Sequence, residues 1–164
     1  MELIYDHKDA KLWYDSDNAI LKAKWYGQVG VEGFKGLVLM GAEIMEQVNH
    51  AHFIFDRRQF ENFSPESRIW LKYDFMNKGG DGRRLIRKVK KMAAIKSSSM
   101  IGQIAAKVFS KILLFFNPHI EYRTFANEVE AECWIRGLPM YQEFVKQSGP
   151  QYNVWKFFNQ LLGS

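Results

Sequence analysis

Cysteine is nearly missing from this chain: Cys133 is the only one in 164 residues. That excludes an internal disulfide, leaves no thiol cluster for zinc, and makes a reducing, cytoplasmic setting the natural expectation. Long apolar runs are missing too. A membrane span needs about 18–20 consecutive apolar residues, and the nearest approach, Ile112 to Phe116, falls far short of it. The N-terminus interleaves acids with apolar residues in place of a signal peptide's apolar core, so a soluble chain is expected. Neither a Gly-x-Ser-x-Gly elbow nor a placeable pair of catalytic carboxylates occurs, and no nucleophile–base pair can be defended. The expectation is therefore a protein that is not an enzyme and has no cofactor.

What is present is enough to build a core. The chain is 47% hydrophobic and 15% aromatic, which argues against disorder, and its formal net charge is +5. A mild excess of that size matters less than where it sits.

Apolar alternation predicts strands at Leu12–Tyr14 and Ala19–Trp25, separated by the turn signal Asp15-Ser16-Asp17-Asn18. Helical spacing of Phe34, Leu37, Val38, Met45 and Val48 predicts a helix from about Val31 to Gln47. Phe53-Ile54-Phe55 reads as a short buried strand. Ser64 then opens a helix to Met76 with Ile69, Trp70, Tyr73 and Met76 inward, closed by Gly79-Gly80-Asp81-Gly82. Val89–Ile95 is the next strand. Ser97-Ser98-Ser99 begins a helix with Ile101, Ile104, Ala105, Val108, Ile112 and Leu113 inward, and Asn117-Pro118 stops it. A short strand at Ile120–Arg123 and an Asn127-capped helix through Ile135 complete the body. Gly137-Leu138-Pro139 marks a boundary, so the expected organisation is an α/β domain over 1–138 and an aromatic, helical C-terminal extension over 139–164. Its Trp155, Phe157 and Phe158 need cover, either on the body or in a homodimer.

The most informative stretch is Phe53 to Ser67, a strand end, a polar crossover and a helix start. Ser64 at the N-cap with Pro65 at N1 and Glu66 in the first turn is a complete capping arrangement. The same serine at a strand's C-terminal end is also a candidate phospho-switch, with Arg57 and Arg58 beside it to stabilise added charge. Asp56, Arg57 and Arg58 either pin the crossover as an ion pair or hold an anion above the sheet's carboxyl edge.

Gly82 to Pro118 contains no Asp or Glu. Arg83, Arg84, Arg87, Lys88, Lys90, Lys91, Lys107 and Lys111 there form either a solvated edge strand guarded by lysines or a face for anionic ligands or lipid headgroups. Nucleic acid is the least supported partner, because no binding motif or aromatic interleaving accompanies the charge. His50 and His52 share a strand face without a third ligand, which does not make a metal site. Cys133, between Glu132 and Trp134, has no activating neighbour and reads as core.

Taken together, the Trp25-Tyr26-Gly27 turn, the Phe-Ile-Phe-Asp-Arg-Arg strand end, the Ser64-Pro65-Glu66 helix start and the later Ser- and Asn-capped helices resemble the STAS/SEC14-like proteins. These are a SpoIIAA-like group of small bacterial domains common in Bacteroidetes. The resemblance covers roughly Leu12 to Leu138. It implies a mixed four- to five-stranded sheet with helices packed on it, and a non-catalytic regulatory role exercised on another protein. Anti-sigma-factor antagonists of this fold carry a phosphorylatable serine at the matching helix start, and Ser64 stands at that position between Phe63 and Pro65. A binder of lipid or another apolar anionic molecule, working through the basic strand and the helix after it, is the alternative expectation.

Overall fold

The computed structural model describes residues 1–77 and 80–138. The expected extension over 139–164 lies outside the described residues, as does Gly79 of the glycine cluster.

A six-stranded mixed sheet forms the frame, in the order β1-β2-β3-β4-β5-β6. Its strands are β1 (Glu2–His7), β2 (Ala10–Asp15), β3 (Ile20–Val29), β4 (Ala51–Phe63), β5 (Val89–Ile95) and β6 (Glu121–Phe125). β1, β2 and β3 form an antiparallel meander, and β3 to β6 run parallel. The four or five strands expected are thus six. The additional one is β1, an edge strand that is exposed or half-buried along its whole length, so no buried apolar face marks it in sequence. β4 is also far longer than Phe53–Phe55. Its outer half carries Asp56, Arg57, Arg58, Gln59 and Glu61, polar residues held in the ladder by β3 alone once β5 ends.

Helices α1 (Val31–Gln47), α2 (Pro65–Trp70), α3 (Asp81–Ile86) and α4 (Met100–Phe116) belong to one face of the sheet. There Trp25, Phe34, Phe63 and Phe109 pack edge to face and tilted at the centre of the main core. α5 (Glu128–Arg136) covers the other face, burying Ala131, Trp134 and Ile135 against Ile20, Ile54, Ala93 and Ile95. β5 is thereby covered on both sides, which is why Met92-Ala93-Ala94-Ile95 is uniformly apolar.

Two helices depart from the expected faces. After Trp70 the chain makes a π-helical turn, Leu71–Phe75, with Met76 N donating to Leu71 O across five residues. The wider turn shifts the phase, so Ser67, Leu71 and Met76 are buried while Ile69 and Tyr73 are exposed. Asp81–Ile86 is a short helix where a glycine-rich exit was expected.

α4 is rotated more consequentially. Its buried positions are Gly102, Ala106, Ser110 and Leu113, and Met100, Ile101, Ile104 and Val108 are 53–78% exposed. The cause is close backbone approach. Gly102 lies against Phe60 O and Ser97 Oγ with no room for a Cβ, and Ser110 Oγ donates to Ala106 O and bonds Tyr122 Oη. Spacing alone offers the regular apolar row of Ile101, Ile104 and Val108 as the inner face, but the small residues permit the closer approach and decide it.

Candidate functional site

The Phe53–Ser67 stretch is built by the parallel pairing of β3 and β4. Two register shifts put extra residues into β4, one opposite Trp25 and one at Glu61. Between them the strand runs past the end of β5, and two of the three serines before α4 satisfy its main chain while the third caps α4. Ser97 Oγ donates to Phe60 O at 3.0 Å, Ser98 Oγ to Arg58 O at 2.8 Å, and Ser99 Oγ accepts from Gly102 N at 2.9 Å as the α4 N-cap.

Asp56 is fully buried and ion-paired with Arg58, whose Nε and Nη2 donate to its two oxygens at 2.9 and 2.6 Å. Burial opposes its charge, but the hydrogen bonds from the Arg58 side chain and main chain prevail and hold its carboxyl below the ordinary range. Arg58 also bonds Glu128 at 2.8 Å, and Lys22 pairs with Glu128 and Glu132. Both acids belong to α5, so the network fastens that helix to the sheet. Arg57 points elsewhere, its Nε donating to Ile95 O at 3.4 Å. The two arginines do not converge on one point, and Arg58 already has anionic partners.

Ser64 is 9% exposed. Its Oγ accepts from Ser67 N at 3.2 Å and shares a hydrogen bond with Ser67 Oγ at 3.0 Å. In this geometry the hydroxyl is the cap of α2.

The basic stretch disperses, and the strand that carries Lys90 and Lys91 is not the expected edge: β5 is paired on both sides, by β4 and β6. Arg83 donates to Met76 O and stacks over Phe116, and Arg84 pairs with Glu46 and Asp81. Lys88 Nζ bonds the carbonyls of Met45 and Val48 at the end of α1, a cation completing a helix C-terminus. Lys91 donates to Trp134 O. Arg87, Lys90, Lys107 and Lys111 are exposed, the last two on α4.

Cys133 is buried, and burial, with Glu132 adding to it, pushes its thiol up. His52 Nδ1 is buried without a hydrogen-bond partner. Among the described residues no three His, Cys, Asp or Glu side chains group so as to hold a metal ion, and no helix is long and apolar enough to cross a membrane.

One surface that the sequence reading assigned to the core is open. Between the α2–π-turn segment and α4 runs a groove of about 360 Å³, lined among others by Phe34, Phe63, Leu71, Ile101, Ile104 and Val108. Arg68 and Lys72 line it too, and Asn62 and Phe63 bring it to the β4–α2 junction beside Ser64. The sequence signal for it was Gly102, Ala106 and Ser110 at helical spacing. Small residues four apart mark the side of a helix on which backbones approach.

A solved structure with this architecture is that of an uncharacterised protein of the DUF3478 family from Shewanella loihica PV-4, described as having a SpoIIAA-like fold. It superposes with a TM-score of 0.52 over 80% of this chain and 97% of that one, at 13% identity. The present chain has a SpoIIAA-like fold. No family model matches the sequence, and no curated protein matches it. The SpoIIAA-like domain thus matches the α/β expectation, with β1 as an additional edge strand.

Proposed function

We propose that this SpoIIAA-like domain is a non-enzymatic regulatory module that works by binding another protein in the groove between α2 and α4. The observation that carries the reading is the outward stripe of Met100, Ile101, Ile104 and Val108 on a helix whose small residues face the sheet. Ile69 and Tyr73, on the α2–π-turn segment, are exposed as well. Contiguous exposed apolar surface of this kind marks interaction sites, and an amphipathic helix laid into an apolar groove is a common way to fill one. The side chains that might do chemistry are otherwise engaged: Ser64 in its cap, Cys133 in the core, Asp56 and Arg58 with each other.

The test is a photo-crosslinker, p-benzoylphenylalanine, in place of Ile104 in full-length protein inside its host. A discrete adduct with a second protein is expected, absent when the probe replaces the exposed Glu61 and lost when Ile101→Lys and Val108→Lys are added. An adduct pattern indifferent to those two substitutions counts against the groove.

A second reading rests on Lys107 and Lys111, both exposed on α4 alongside the stripe. Apolar side chains flanked by lysines suit the interface of an anionic lipid surface. Co-sedimentation with vesicles rich in anionic lipid, weakened by Lys107→Glu and Lys111→Glu, is its expected result; no sedimentation even at low salt removes it.

A further inference from the structure

We infer that the segment the α2–α4 groove receives is an acidic amphipathic helix of another protein, with an apolar row laid along α4 and carboxylates on both edges of that row. The inference rests on the reading of the groove as a protein-binding surface and names the chemistry of the partner.

The walls of the groove decide the conformation of its occupant. One wall is α4 and the other is the α2–π-turn segment, so neither offers a free strand edge. A segment lying between them must satisfy its own main-chain hydrogen bonds, which a helix does and an extended strand does not. Ile101, Ile104, Val108 and Ile112 follow one another along α4 at intervals of three and four residues. From Ile101 to Ile112 the rise is ~16 Å at ~1.5 Å per residue, about three turns. A partner helix of that length presents apolar side chains at i, i+3 or i+4, and i+7.

The rims decide its charge. The charged side chains lining the groove are both cations, Arg68 and Lys72, one turn apart on the α2–π-turn wall. On the α4 side Lys107 and Lys111 each stand three residues on from Ile104 and Val108, neighbouring positions on a helix surface. All four are exposed, and among the described residues none of them is ion-paired. Elsewhere cations of this protein do find acids, as Arg58, Arg84 and Arg136 show. Lys72 has the ring of Tyr73 beneath its ammonium group, and α4 carries no Asp or Glu. Glu66 lies within reach of the charge of Arg68, but its carboxylate is hydrogen-bonded to its own main chain and to Ser64. An apolar floor between two cationic rims repels a basic helix and matches one whose apolar row is bordered by acids. A flat lipid surface would meet Lys107 and Lys111 without filling the floor, where Phe34, Phe63 and Leu71 are nearly buried.

The p-benzoylphenylalanine probe at Ile104, in full-length protein inside its host, also reads this chemistry once the foreign adduct is digested and the joined peptide sequenced. That peptide is expected to come from a helical segment with the apolar row described and a clear excess of acids over bases. Arg68→Glu with Lys72→Glu is expected to cut the adduct yield about tenfold, and Lys in place of the partner's acids to restore it. A synthetic copy of the peptide, titrated by fluorescence anisotropy into purified full-length protein, is expected to bind about tenfold more weakly at ~500 mM than at ~50 mM salt. A neutral or basic peptide, affinity indifferent to salt, or a yield unmoved by the charge reversal overturns the inference. So do adducts confined to lipid, to the chain itself or to a second copy. The two readings fail separately: absence of any foreign protein adduct removes the interaction module and this inference with it, whereas a foreign adduct through a basic or neutral segment leaves the module standing and overturns the acidic partner alone.

Discussion

Gly102 lies so close to the main-chain oxygen of Phe60 that a Cβ on it would overlap that atom and Ser97 Oγ. This contact sets the rotation of α4, and through it the face that the helix turns to solvent. Gly102→Ala therefore pits a helix-propensity gain of about 1 kcal/mol against a forced separation of α4 from β4. A net loss of about 1–3 kcal/mol is expected from overpacking, measured by urea unfolding. A stabilised variant would mean that the approach is not tight.

Ser64 gives a complementary prediction. Its Oγ caps α2 through Ser67 N, so Ser64→Ala is expected to cost about 1 kcal/mol and Ser64→Gly only a few tenths. Because the hydroxyl is buried and bonded, peptide mapping of host-purified protein is expected to show Ser64 unmodified. A stoichiometric phosphopeptide would support the switch.

Asp56 makes the fold sensitive to acid. Burial raises its carboxyl, but the hydrogen bonds and charge of Arg58 outweigh that, so its folded value lies below the unfolded one of about 3.9. The ionised form then contributes stability above about pH 4, and that contribution disappears as pH falls through the folded value. Asp15, where Arg136 and Asn18 likewise prevail over burial, adds to the same limb. Thermal melts from pH 6 to pH 2 should show a steep acid loss, shallower in Asp56→Asn. An equal slope in both proteins would remove Asp56 from the account.

His52 acts at higher pH. Burial, then His50 and Lys91, lower its value, and its Nδ1 has no partner. With the folded value below the unfolded one of about 6.5, the unfolded chain takes up the proton first. Stability falls as pH drops below about 6.5 and levels off beneath the folded value. His52→Leu should flatten that limb without loss at neutral pH, read by denaturant midpoints at pH 7.5 and 5.5. A variant that keeps the slope would assign it to another group.

Legibility in the sequence followed how much a local pattern constrains. The β2–β3 turn, the helix at Val31–Gln47, the Ser- and Asn-capped helix starts and the buried run Met92–Ile95 all carry signals within a few residues, and each is found. β1 was illegible because an edge strand needs no buried face, and the π turn because one residue of added pitch leaves no compositional trace. At the candidate site, an ion pair of Asp56 with one of the two following arginines was one of two readings, and which arginine it is, Arg58, was settled only by the fold. Glu128, seventy residues further on, was not legible at all.

By itself, the order of apolar, capping and turn residues determined an α/β chain with strands and helices in alternation, since those choices are made by backbone geometry and local burial. Only the tertiary structure decided which side of α4 faces the sheet, which cations have partners and that Ser64 lies beneath the surface. Those outcomes depend on how closely two backbones can approach, and Gly102 against Phe60 O is a meeting of segments that no short window of sequence contains.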